Sequence, residues 1–216
     1  MTQNQLTGRT AARGTGTAPA MIPTTLWAAG PTPIDPHDPW PPRLLTRAVL
    51  EYSRPGDRVM LLPDASTPTT STLAELGRTL VPATTDPDES VPVADTDLIL
   101  TTLLPEPEPH TVPEAVQTAS ARLRVGGLLI VFSRCSHDSD GHLRDFSGHL
   151  VSAAQHCDLL YLQHLIAAPV HGTAIVAAPT HPGTPCRIVG GPNEHNDIIH
   201  TDVSVFLQPH DLTTAA

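Results

Sequence analysis

Lysine is absent from this chain of 216 residues, whose 12 non-histidine basic residues are all arginine, set against 22 acids for a formal net charge of −10. A surface that grips duplex phosphates needs clustered Lys and Arg to displace counterions, so nucleic acid is disfavoured as a partner. Twelve histidines would lessen the negative charge only below about pH 6.5. Cysteine is also scarce: Cys135, Cys157 and Cys186 are odd in number and form no CxxC pair, which predicts a reduced, cytoplasmic setting rather than a disulfide framework. No apolar run approaches the ~20 residues of a membrane span, and no membrane partner is expected. The first twenty residues, "MTQNQLTGRTAARGTGTAPA", lack the apolar core of a secretory signal. Aromatic residues are few as well, with two Trp, two Tyr and three Phe, which limits any site built on ring stacking.

Proline is plentiful, at 24 residues, and its clusters at 31–42, 82–92, 105–113 and 179–192 punctuate the chain into elements. Length and composition predict one α/β domain over 22–210, with tails at 1–21 and 211–216. Leu44, Leu45, Ala48, Val49 and Tyr52 recur at helical spacing, with Pro41 and Pro42 suited to the first turn and Pro55-Gly56 to the stop. Val59 to Leu62 reads as a strand. Thr70 to Gly77 reads as a short helix in which Thr72 and Glu75 have capping-box spacing. Strands are predicted near Thr79–Ala83 and through Leu98-Ile99-Leu100, the latter an unbroken apolar run buried on both faces. A helical stripe follows at Val112, Ala115, Val116, Ala119 and Leu123. Gly126-Gly127 then turns the chain into a strand over Leu128–Ser133. After the turn "HDSDG" comes a stripe of Leu143, Phe146, Leu150, Val151 and Ala154. Two more strands lie in "DLLYLQHLIAA" and in "TDVSVFLQP", whose alternation predicts a place at or near an edge. Alternating strands and helices predict a three-layer sandwich around a mostly parallel, doubly wound sheet of about seven strands, the last antiparallel.

"LTRAVLEYSRPGDRVMLLPDASTPTTSTLAELGR", "ADTDLILTTLLP", "RLRVGGLLIVFSR", "DGHLRDFSGHLVSAAQHCDLLYLQHLIAA" and "TDVSVFLQP" together cover roughly 43–208. In order and spacing they resemble a class I S-adenosylmethionine-dependent methyltransferase with a Rossmann-like fold, of the DNA amino-methyltransferase branch found in high-GC bacteria. The resemblance implies a cofactor loop of acid, Pro, a variable residue, Ala, Gly, any residue, Gly and Thr. Pro63, Ala65 and Thr69 match it. Leu62 stands in the acidic position, Ser66 in the first glycine position and Pro68 in the second. Glycine lets a backbone approach a ligand with its amide free, whereas proline fixes φ and carries no donor. The cofactor-binding positions implied are Pro63, Asp64, Ala65, Ser66 and Thr67, with Asp86 as the ribose acid if the register slips past Ala83, Thr84 and Thr85.

The catalytic loop implied by the resemblance is a polar residue, two prolines and an aromatic that stacks on a flipped base. Here Thr102, Leu103, Leu104 and Pro105 occupy those places. Thr102 is thus a vestigial position, and no catalytic residue is predicted. The resulting expectation is a methyltransferase-like pseudoenzyme that binds no cofactor and serves an unidentified protein partner or small ligand. The alternative is an active enzyme that uses S-adenosylmethionine through a remodelled loop, with DNA as one candidate substrate. An open crevice lined by Asp64, Ser66, Thr102 and Ser133 would mark the enzyme. Closure by Leu62, Pro68, Leu103 and Leu104 would mark the pseudoenzyme. A nucleic-acid module would instead need arginines such as Arg43, Arg47 and Arg54 to converge.

The remaining polar features read as structural. Asp64 suits a helix N-cap, and Glu106 and Glu108 suit a solvated edge. Cys135, His137, Asp138, Asp140 and His142 gather after the fifth strand without a spacing that defines a metal site, so no metal is predicted. Cys157 reads as core. Trp27 and Trp40 suit a sheet edge or packing against the first helix. Ser66, Ser133 and Ser136 lie in no GxSxG elbow, which argues against a hydrolase.

Overall fold

The computed structural model describes residues 25–35, 37–83, 94–105, 111–137, 140, 142–172, 174–177, 187–188 and 200–209. In chain order the elements are β1 (Leu26–Ala28), α1 (Pro42–Tyr52), β2 (Arg58–Leu62), α2 (Thr67–Glu75), β3 (Thr79–Val81), β4 (Thr96–Thr102), α3 (Thr111–Arg122), β5 (Leu123–Ser133), β6 (Ser136–His137), β7 (Leu143–Arg144), α4 (Ser147–His156), β8 (Leu160–Ala168), β9 (Val170–His171), β10 (Ala174–Ala177), β11 (Arg187–Ile188) and β12 (Thr201–Leu207). Seven strands form one sheet in the order β1-β8-β12-β5-β4-β2-β3. All neighbours pair parallel except β12, which runs antiparallel to both β5 and β8. The predicted tails and Asp86 lie outside the described residues.

Helices cover both faces, as the α/β pattern predicts. On one face α1 and α2 seal Val59, Leu61, Leu98, Leu100, Ile130 and Phe132 beneath Leu44, Leu45, Val49 and Leu73. On the other, α3 and α4 bury Met60, Ile99, Leu129, Val131 and Phe206 beneath Val112, Val116, Leu150 and Ala154. Consecutive residues of β2 and β4 therefore serve opposite cores, which explains their unbroken apolar runs.

The first helix forms where its spacing predicts. Pro42 sits where a missing N–H costs nothing, and the helix stops at Ser53 before Gly56, which turns at φ +92°. Arg78, only 7% exposed, closes that end: its Nη2 donates to the Ser53 carbonyl at 2.7 Å and its Nε to Ser53 Oγ at 3.0 Å. Trp27 is held by α1 as well, its ring 5.9 Å from that of Tyr52 and the Arg47 guanidinium 4.7 Å above it. Trp40 meets Phe132 edge-on at 6.2 Å. The two tryptophans thus secure β1 at the sheet edge and the segment leading into α1.

Several local expectations need correction. Strand β12 is interior, not peripheral: Thr201, Asp202 and Ser204 alternate with apolar residues yet are all buried, their polar ends facing protein rather than water. Helix α2 begins at Thr67 behind Ser66, so Thr72 lies inside it and returns its hydroxyl to the Pro68 carbonyl instead of forming a capping box with Glu75. Pro68 in the first turn permits the earlier start. Helix α4 begins at Ser147, whose N–H is taken by Asp145 Oδ1 at 2.8 Å, and this leaves Leu143 in β7, 60% exposed, and Phe146 just before the helix. Leu123 is buried as expected but opens β5, which runs through the glycine turn: Gly126 adopts φ +80° within the strand. Cys157 is only half-buried, packed against the α3/α4 core.

Candidate functional site

Strand β2 pairs with β3 on one side and β4 on the other, so the chain reverses its direction across the sheet at this point. In open α/β sheets the crevice outside the carboxyl ends of such strands is where ligands bind. The loops after β2 and β4 meet there; of the sequence-predicted residues, Pro63 to Ser66 form the first loop, Thr67 opens α2 and Thr102 ends β4. Both loops carry a cis X-Pro bond, Leu62-Pro63 and Leu104-Pro105.

Polar groups at this point are engaged by the chain itself. Asp64 does not cap α2; its Oδ1 accepts the Ala83 N–H at 3.2 Å and ties the loop to the exit of β3. Ser66 Oγ meets Thr69 Oγ1 at 3.2 Å. Thr101 Oγ1 donates to the Leu62 carbonyl at 3.0 Å, and Thr102 Oγ1 accepts the Leu104 N–H at 3.1 Å. The Leu103 N–H reaches the Phe132 carbonyl at 2.8 Å. Leu62 and Leu103 are buried in the α3/α4 core and Leu104 in the α1/α2 core, while Thr102 and Ser133 are buried beside them. Pro63, Asp64, Ser66 and Thr67 are exposed, and Ala65 packs against the α1/α2 core. Pro68 is exposed too, so it does not close the crevice as its position suggested.

A polar cluster that sequence reasoning missed lies toward the other side of the sheet, at the end of β5 and the start of β12. Asp202 is 3% exposed, with His164 Nε2 at 2.9 Å and His200 Nε2 at 3.6 Å from its Oδ1. The Cys135 thiol lies 3.8 Å from its Oδ2. Burial, reinforced by the negative charges of Asp202 and Asp145, pushes the Cys135 thiol up to about 11. Burial lowers the Arg134 guanidinium, which Asp202 and Asp35 oppose, and its Nη2 donates to Thr201 Oγ1 at 3.1 Å. The Ser147 backbone N–H holds Asp145 below the usual carboxylate range. A shared carboxylate between two imidazoles can orient both rings, but the thiol beside it stays protonated near neutral pH and is no nucleophile. Cys135 and Asp202 stand 67 positions apart, and the residues form no motif. The signal was an acid in the buried "TDVSVFLQP" strand.

Of the polar residues gathered after the fifth strand, Cys135 faces Asp202, and Asp138 lies outside the described residues. Among the described residues no group of three or more His, Cys, Asp or Glu side chains is placed to hold a metal ion. Nor is any described helix long and apolar enough to cross a membrane. Arg47 is occupied by Trp27 and by the Ala28 carbonyl at 3.2 Å, whereas Arg54 sits beyond the helix at the turn closed by Asp57.

No protein-family model matches the chain, and no curated protein does. Solved structures similar to it include a SAM-dependent methyltransferase of Methanosarcina mazei, at 9% identity over 76% of this chain and 97% of that one, with a TM-score of 0.42. Another is the 1,6-didemethyltoxoflavin-N1-methyltransferase of Burkholderia thailandensis, at 14% identity over 77% and 76% of the two chains and a TM-score of 0.45. A Thermus thermophilus protein of the DNA-modification-methylase type aligns at 13% identity over 72% and 54%, with a TM-score of 0.38. What the site can do rests on its own residues.

Proposed function

We propose that this chain is a methyltransferase-like α/β module that has lost cofactor chemistry and acts as a binding or scaffolding protein. The observation that supports this reading most is the self-satisfied switch point, where Asp64, Ser66, Thr101 and Thr102 make their hydrogen bonds within the chain and Leu103 and Leu104 are drawn into the two cores. These residues do not fit the usual S-adenosylmethionine cradle. Pro68 offers no amide, one Asp64 carboxylate oxygen already accepts the Ala83 N–H, and no glycine opens the loop. The partner in this reading is another protein or a small ligand other than the cofactor. The competing reading, an active methyltransferase with a remodelled loop, is favoured by the exposure of Pro63, Asp64, Ser66 and Thr67 along the carboxyl edge.

Calorimetric titration with S-adenosylmethionine and S-adenosylhomocysteine separates the two. No heat and no thermal shift at millimolar ligand is the expected result. Binding tighter than roughly 100 µM, about −5.5 kcal/mol, would overturn the proposal and make the loop a rebuilt cofactor site.

A further inference from the structure

The face of the sheet covered by α3 and α4 is left bare along its β8–β1 margin. Leu26 pairs with Ile166 across that margin, and the two are 42% and 39% exposed. Tyr161 lies opposite Phe206, whose ring is 5.3 Å away, and remains 41% exposed. The register irregularity between Val205 and Phe206 leaves Leu162 unpaired beside Tyr161, and it is 51% exposed. His164 is the polar member of the strip, and its Nε2 is turned in to the buried Asp202 carboxylate at 2.9 Å. The four exposed side chains of the strip are apolar or phenolic, and the Asp145 carboxylate lies near His164 at its border. Among the described residues, no helix covers it.

We propose that this strip is the centre of a two-fold interface between copies of the chain. Together the four apolar side chains expose on the order of 300 Å², at the lower end of the largest apolar patches on monomers, which often have a function. A two-fold pair buries that area twice, as the apolar core of an interface whose polar rim must bring the total to about 1,200 Å². A sheet face is suited to this self-pairing, because two such faces pack with aligned strands about 10 Å apart. The core is small, so the dimer should be weak, with half-association on the order of 10 µM. The inference is independent of any methyltransferase reading.

Sedimentation of the full chain from about 1 to about 200 µM tests it. The expected result is a monomer–dimer equilibrium that Leu162→Lys with Ile166→Lys shifts at least ~10-fold toward monomer. Leu50→Lys, at a residue 55% exposed on α1, should leave it unchanged. If the double variant does not fold, Leu26→Lys at the three-residue edge strand is the substitute. A monomer throughout overturns the proposal, whether the strip then serves another protein or another part of this chain. A dimer indifferent to every strip variant overturns it equally.

Discussion

Replacing Arg78 should cost more stability than its place just before a short strand would suggest. Its guanidinium donates to the carbonyls of Ser53, Val49 and Leu76 and to Ser53 Oγ, all from a position 7% exposed. The Val49 carbonyl keeps the Ser53 N–H at 3.1 Å and Ser53 Oγ at 2.6 Å when Arg78 is removed. The Ser53 and Leu76 carbonyls lose this donor. Each buried acceptor stranded in this way costs about 1–3 kcal/mol, and both residues are half-buried, so water recovers part. Arg78→Met, which keeps the apolar stem, should therefore lower stability by about 2–3 kcal/mol. Arg78→Lys should recover about half, since one ammonium cannot span the same carbonyls. The contrast is Arg58→Ala, which breaks an ion pair with Asp95 from a side chain 46% exposed and should cost about 0–1 kcal/mol. Urea unfolding measures both as midpoint shifts at constant slope. An Arg78→Met variant within about 0.5 kcal/mol of the parent would refute the reasoning and mean that water already serves these carbonyls.

Gly127→Ala should be strongly destabilising. Its Cβ would lie 2.9 Å from the Arg124 carbonyl oxygen and 3.0 Å from that of Thr96, so either the glycine turn of β5 must distort or β4 must move away from β5. A loss of about 1–3 kcal/mol in thermal unfolding is expected, whereas Gly148→Ala, with open space in α4, should be neutral or slightly stabilising. Cys135, with its thiol at about 11 against an ordinary 9.0, should carry roughly a hundredfold less thiolate than a free thiol at pH 8 and alkylate correspondingly slowly. Site-resolved mass spectrometry reads the rate, and Asp202→Asn should raise it. Because the unfolded thiol ionises first, this group also removes stability as pH rises from about 9 toward 11.

The legible part of the fold was the part set by local periodicity. The α1 stripe, the apolar runs of β2 and β4 and the β5 strand are dictated by side chains that must leave water on one face or on two. Strand β12 misled because alternation of polar and apolar residues signals a wet face only when nothing polar lies behind it. Here Asp202 is answered by His164 from β8, 38 positions away, and Thr201 by Arg134, 67 away. Leu143 and Phe146 kept helical spacing with Leu150, but Asp145 takes the Ser147 N–H and ends the stripe there. Long-range partners and a single cap thus decided what periodicity left open.

The candidate site divides in the same way. Absence of glycine between Leu62 and Thr70 is a fact of the sequence. The sequence does not show where the loop's polar groups turn, because their partners Ala83 and Leu62 stand 19 and 39 positions from Asp64 and Thr101. Nor does it show which apolar residues near the loop are buried. Pro68 was the obvious choice by position and is exposed, whereas Leu103 and Leu104, in the adjacent loop, are drawn into opposite cores. The two loops therefore differ in kind: the first, after β2, has no glycine and exposed residues, and the second, after β4, sends one leucine into each core. Returning glycine at Ser66 and Pro68 would act on the first alone. The leucine pair would stay buried, and Thr102 would still be held by the Leu104 amide.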